Sequence, residues 1–365
     1  MSPTRDPLVR RLRTYSVKPL LSRRKVRFWL GAIWLVDGFL QANPRFFTAA
    51  WWRDSLAQSV MGEPAWASRS ILWAVSVIAA HAPLCNGVFV AFQLGIGLAL
   101  VTGKCERVAI AVSVPYALGV WWVGEGFGGL PSGFAMMATG APGAALLYPT
   151  IGLLAFPSPR RTDGQWTRRE WSVGESAQSG VGGAERFESG STLEMPVSLR
   201  LGLAVWVTLW AGQVLLAFTW VMSTSLVLRA NLEESSLGNP AWVVALGQPL
   251  SLLANHHAVA LAAVIGAVQI AVGVGAFWRL RTALAAGVVV AAVFWISFEY
   301  FGGIASGGAT DPNSGPLLVL LALSMWRRRS ISASPTGAAE ACAGLGILRD
   351  EPQGGWKAPE ASPTT

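Results

Sequence analysis

Of 365 residues, 52% are hydrophobic, only 13% carry a charge and 18 are tryptophan. That balance excludes an ordinary soluble domain and points to an integral membrane protein. The net charge of +8 is accounted for by membrane topology and attraction to anionic headgroups, so the bilayer is the expected partner and nucleic acid is not.

Residues 1–27 form a basic segment holding nine Lys and Arg from Arg5 to Arg27 against Asp6 alone. Because cytoplasmic loops retain Lys and Arg, this segment is placed in the cytoplasm. The apolar stretch that follows lacks a small-x-small cleavage site and reads as a retained helix, not a signal peptide. A helix crossing the ~30 Å hydrocarbon core needs roughly 17–25 apolar residues. Stretches near or approaching that length occur at Phe28–Leu40, Leu84–Val101, Val108–Val123 and Pro142–Phe156, and again at Leu199–Val221, Ala258–Phe277, Ala283–Phe298 and Pro316–Trp326. The expectation is an all-α polytopic protein of about eight transmembrane helices, four in residues 28–157 and four in 198–329. The loops predicted inside carry Lys104 and Arg107, then Arg160, Arg161, Arg168 and Arg169, then Arg279 and Arg281, then Arg327, Arg328 and Arg329. All agree with a multi-pass cell-membrane protein whose termini are both cytoplasmic.

After its first span each unit spends about 40 residues outside before re-entering. In the first unit these hold Phe46, Phe47, Trp51, Trp52, Trp66 and Trp73, and such aromatics favour the membrane–water boundary. Short interfacial helices on the outer leaflet are expected, ending in Ile71–Ala80, which is apolar but too short to span. Residues 158–197, rich in Gly, Ser and Glu, read as a disordered cytoplasmic linker, and 330–365 as a disordered cytoplasmic tail. Cys85, Cys105 and Cys342 show no paired spacing, which counts against cysteine redox chemistry or a Cys-based zinc site.

The chain repeats itself. Gly62, Pro64, Ala65, Trp66, His81, Gln93 and Gly97 return 176 positions later as Gly238, Pro240, Ala241, Trp242, His257, Gln269 and Gly273. W-x-x-x-E-x-F-G-G-x-x-S-G runs from Trp121 to Gly133 and, offset by 174, from Trp295 to Gly307. An even number of spans per copy makes the copies parallel, related by a pseudo-twofold axis along the membrane normal.

Matching polar residues become the candidates. His81 and His257 precede the second span of each copy; across the pseudo-axis they are weak candidates for a shared metal or haem, against helix-start hydrogen bonding. His256 matches Ala80 and is weaker still. Gln93 and Gln269 lie in apolar helices four residues before Gly97 and Gly273, which suits close helix packing or ligand binding. Glu125 and Glu299 end the third spans and open Gly-rich stretches; a carboxyl desolvated beside apolar surface is a candidate proton carrier. Asp37, inside the first span, lacks a counterpart, the second copy having Trp210, Gly212 and Gln213 there. Asp311, in A-T-D-P-N-S-G-P, also lacks one and is either a turn residue or a cation ligand. No soluble-type nucleotide, zinc-protease or serine-hydrolase motif occurs.

The segment FQLGIGLALVTGKCERVAIAV of the first copy resembles the DoxX-like group of small four-helix membrane proteins, which includes the DoxD-type subunit of thiosulfate:quinone oxidoreductase. The resemblance covers about 40 residues per copy. Gln93 and Gln269 stand where that group often has Glu, and the external aromatics and Gly-rich ends are foreign to it. It implies a tandem duplication of a DoxX-like unit, a component or membrane partner of a quinone-linked redox system, with quinone as ligand and a redox subunit as partner. A small-solute or ion transporter and a non-catalytic scaffold are the alternatives.

Overall fold

The computed structural model describes residues 15–60, 62–133, 135–157, 198–212, 214 and 220–331. The linker 158–197, nearly all of the tail 330–365, half of the basic segment and Cys342 lie outside the described residues. The chain divides into two compact units, residues 1–18 with 328–365, and residues 19–327. In the smaller, the described element is a two-stranded sheet of β1 (Tyr15–Pro19) and β2 (Arg327–Ile331). The larger is helical, in line with the all-α expectation.

Its N-terminal half contains α1 (Arg23–Gln41), α2 (Ala49–Ser59), α3 (Ala65–Ala80), α4 (Ala82–Thr102), α5 (Glu106–Val123) and α6 (Ala144–Leu154). Its C-terminal half contains α7 (Leu199–Val207), continued by a π turn at Thr208–Gly212, then α8 (Trp220–Ser236), α9 (Ala241–Ser297) and α10 (Ser314–Met325). The long α9 is three helices by backbone angle, broken at His257 (φ −139°, ψ 36°) and Arg279 (φ −137°, ψ 69°). His81, between α3 and α4, has the same geometry (φ −128°, ψ 35°). The second break differs between halves. Between α4 and α5 the chain uses left-handed Gly103 (φ 71°) and Cys105 (φ 54°), whereas α9 turns at Arg279. The C-terminal turn is two residues shorter, which is why the sequence offset falls from 176 to 174.

α4 and the helical run beginning at Ala241 are long and apolar enough to cross a membrane; α3, α6, α7 with its π turn, and α10 are apolar but shorter. Helix length therefore does not reproduce eight crossings. At ~1.5 Å per residue, the 11 residues of α6 and 12 of α10 reach about half of a ~30 Å core. Their residues went into the loops at 124–143 and 298–313, which fold against the ends of α6 and α10. These two helices are also deeply buried, with Leu147, Ile151, Leu317 and Leu321 at 1% exposure or less. Among its described residues the expected span Leu199–Val221 is helical to Val207, passes through the π turn at Thr208–Gly212 and is helical again at Val214 and from Trp220.

Helix α1 lies against α4 through opposed glycines. A Cβ on Gly31 would sit 2.8 Å from the Gly97 carbonyl oxygen, and one on Gly97 would sit 2.9 Å from that of Gly31. A side chain at either site forces the helices apart, so Gly97 packs as its spacing from Gln93 predicts. The external aromatics divide. Trp66 and Trp73 are exposed, but Phe46 and Trp52 are buried, the Trp52 indole donating to the Phe46 carbonyl at 2.8 Å. Those two build a local core instead of facing an interface.

Candidate functional site

Glu125 and Glu299 stand just beyond the last turns of α5 and α9, and each reaches across a Gly-rich loop to the start of the next helix. Glu125 Oε1 accepts from the backbone N–H of Ala145 at 2.9 Å. Glu299 Oε1 accepts from the Ser314 hydroxyl at 2.6 Å, and backbone N–H groups of Gly315 and Ser314 also donate to this carboxyl. Free amides at a helix N-terminus favour an anion or acceptor there, so both glutamates cap the following helix. This role was not read from the sequence, because the acid and the helix it caps are about 15–20 residues apart.

The two loops are built alike. Trp121 and Trp295 donate their indole N–H groups to the carbonyls of Pro142 and Pro312, both at 2.7 Å. Phe127 and Gly128 repeat the left-handed angles of Phe301 and Gly302. At Gly302 a Cβ would lie 2.6 Å from the Pro312 carbonyl carbon, so the loop closes only without a side chain. This matching sets α6 against α10 at an offset of 170, pairing Ala145 with Gly315 and Tyr148 with Leu318.

In both glutamates Oε2 is buried without a partner. Burial pushes each carboxyl up to about 8. For Glu125 the Asp311 charge adds to burial and the Ala145 and Ala144 amides oppose it. For Glu299 the hydrogen bonds from Ser314 and Gly315 oppose burial, and Asp311 again adds. Asp311 is itself raised by burial against the hydrogen bonds from Asn313 and Thr310. Its Oδ1 accepts from the Asn313 N–H at 2.7 Å, which satisfies the turn reading while leaving the carboxyl in the site.

Glu125 and Asp311 both line a cavity of about 680 Å³ formed by the two Gly-rich loops, the Gly62–Glu63 turn and one face of α8. Ser132, Thr139, Thr310, Asn231 and Asn313 add hydroxyls and amides to the wall, and Glu63 and Glu234 add two more carboxyls. No basic side chain lines it among the described residues. α8 enters this wall without any matching feature that the sequence reading had marked.

Asp37 lies at 2% exposure in α1 with Oδ1 unpartnered. Tyr148 of α6 faces it, and Asp311 and Tyr116 share its electrostatic surroundings. Gln93 is 7% exposed and meets Tyr116. Gln269 is fully buried with neither polar side-chain atom partnered.

His81, His256 and His257 are exposed at the helix breaks and remain apart from this group. His81 Nδ1 lies 3.3 Å from the Val77 carbonyl one turn back, the local bond that competed with metal binding. No group of three or more His, Cys, Asp or Glu side chains arranged for a metal occurs among the described residues. Cys85 and Cys105 are free thiols.

At the opposite end of α5, Arg27 is 1% exposed. Its Nε and a terminal nitrogen bind the Glu106 carboxylate at 2.7 and 3.2 Å, and the other nitrogen donates to the Ala155 carbonyl at 2.8 Å. It ties α1, α5 and the end of α6 together. Sequence reading counted Arg27 only as a topology signal.

No family model matches the chain, and neither does a curated protein or a solved structure.

Proposed function

We propose that the halves are parallel tandem copies of a four-helix membrane unit, and that the protein moves a small cation through the cavity between their Gly-rich loops. One observation carries this reading: the wall presents the carboxyls of Glu63, Glu125, Glu234 and Asp311 and, among its described residues, no Lys or Arg. A cation entering it meets acceptors already gathered, and Glu125 offers an unpartnered oxygen. The volume falls within the ~300–1,000 Å³ of small-molecule pockets. The positive-inside distribution of Lys and Arg places the opening on the outer face. Loading proteoliposomes with the full chain and following uptake of sodium and of methylammonium tests it. Flux that the Glu125→Gln/Asp311→Asn protein retains in full would remove the reading.

The DoxX-like resemblance supports a second reading, a quinone-linked membrane component. Carboxyls raised to about 8 suit proton transfer to a reduced quinone at neutral pH. The cavity wall also holds Met136, Val227 and several alanines, but its four carboxyls with no base among the described lining residues rank cation passage first. A quinone in lipid extracts of the purified protein, with no cation binding, would reverse that order.

A further inference from the structure

We propose that the cavity takes an organic diamine: two ammonium groups joined by a short alkyl chain, each end held by carboxyls and the chain laid on the apolar part of the wall. This rests on the cation reading and names its substrate class.

Where the acids stand decides the kind of cation. Glu63 lies in the turn before α3, Glu125 beyond α5, Glu234 on α8 and Asp311 in the loop before α10. A bare metal ion needs several oxygen ligands converging on one point, and no three His, Cys, Asp or Glu side chains among the described residues are so arranged. A space of about 680 Å³ is also far larger than such an ion fills. Between the acids the wall is partly apolar, with Met136, Val227 and Ala230 contributing to it. Methylenes gain free energy by leaving water for that surface, whereas a hydrated metal ion gains nothing there.

One ammonium position is built by Glu125 and Asp311. Glu125 Oε1 is committed to the Ala145 amide, but its Oε2 is buried without a partner. That oxygen lies over Gly143, where a Cβ would collide with it. Asp311 is fixed by the bond from the Asn313 N–H, and a Cβ on Gly140 would come within 2.6 Å of Asn313 Oδ1. The missing side chains at Gly140 and Gly143 thus bring the Asp311 turn and the Glu125 carboxyl to the same stretch of the first loop. The second position is at Glu63, whose Oε2 is likewise buried without a partner. Glu234, exposed on α8, adds its charge where the ligand enters.

Buried acceptors normally have donors, and an ammonium group carries three N–H donors. Two open carboxyl oxygens in one wall therefore match two ammonium groups. A monoamine satisfies only one of them, which separates a diamine site from a general cation site.

The test titrates the full chain in phosphatidylcholine nanodiscs with 1,4-diaminobutane, 1-aminobutane and sodium, with empty nanodiscs as the blank. The diamine should bind about tenfold tighter than the monoamine, the value of one further charge-assisted hydrogen bond. Glu63→Gln should abolish that preference, and Glu125→Gln/Asp311→Asn should weaken both amines. Glu234→Gln, at an exposed position, should weaken the diamine more than the monoamine and provides the reading if Glu63→Gln does not fold. Equal affinity for the two amines, or a preference that survives both Glu63→Gln and Glu234→Gln, overturns the inference. Sodium or the monoamine bound as tightly as the diamine overturns it while leaving the cation reading in place; no binding and no flux of any of the three removes both.

Discussion

Tyr116 and Tyr148 of the N-terminal half stand where the C-terminal half has Val290 and Leu318, at offsets of 174 and 170, and Asp37 has no acid matching it. The buried positions Val26, Leu30 and Trp34 of α1 recur as Gly202, Trp206 and Trp210 at the offset of 176 that also relates Gly97 to Gly273. Trp210 is tilted on Trp206 at 5.3 Å and stacked on Phe294 at 6.5 Å. Both halves retain the buried glutamine, Gln93 or Gln269, but only the first surrounds it with ionisable side chains. The same backbone breaks thus carry two interiors: one polar and incompletely paired, one filled with aromatic and aliphatic groups. Close packing stabilises a helix unit, whereas open polar atoms cost stability and are kept where they bind something. Under the proposed function the second half is the scaffold and the first the working half.

The largest way to break this comparison is to empty the filled interior. Trp210→Ala should cost about 3–5 kcal/mol, read as a lowered midpoint of thermal unfolding in detergent; a near-neutral result would mean the C-terminal interior is not packed as described. A comparable loss, about 3–5 kcal/mol, is expected from Arg27→Leu, which leaves Glu106 without its buried partner. The second half shows the cure. Its residues at these positions, at offsets of 176 and 174, are Leu203 and Leu280, so Arg27→Leu/Glu106→Leu should recover most of the loss, and a double variant as unstable as the single would sever the equivalence of the halves.

Gly97→Ala should cost about 1–3 kcal/mol by forcing α1 from α4. Gly273→Ala should cost less, because its Cβ would meet Ala211 Cβ at 3.0 Å, with no backbone oxygen among its nearest neighbours. A separate test lies in pH dependence. Glu125 and Glu299 bind protons more tightly folded than unfolded, since burial lifts both from 4.5 to about 8. Their stabilising contribution is complete below the unfolded value and is lost as pH rises towards the folded one. Melting temperature should therefore fall between about pH 5 and 8, and Glu125→Gln/Glu299→Gln should flatten that slope; an unaltered slope would place the titration elsewhere.

Much of the site was legible. Glu125, Glu299, Asp37 and Asp311 stood out as acids in apolar or Gly-rich surroundings, and in the folded chain Asp311 adds to the burial of both glutamates. Tyr116 and Tyr148 were missed because a tyrosine in an apolar run signals core or interface equally well. Arg27 was missed because it sits in a run of basic residues, and nothing local distinguishes the one that turns inward. The histidine pair attracted notice by its repetition, but what recurs there is a backbone break.

The sequence by itself determined the recurrence of residues between the halves, the helical class and the identity of the acids, since these follow from register, apolar content and residue type. Tertiary structure alone decided which helices are long enough to cross, which glutamate oxygen caps a helix and which stays open, and that Asp311 of one half shares a cavity wall with Glu125 of the other. The physical reason is that burial and pairing arise between segments far apart in the chain, and neither periodicity nor composition records which loop folds over which helix end.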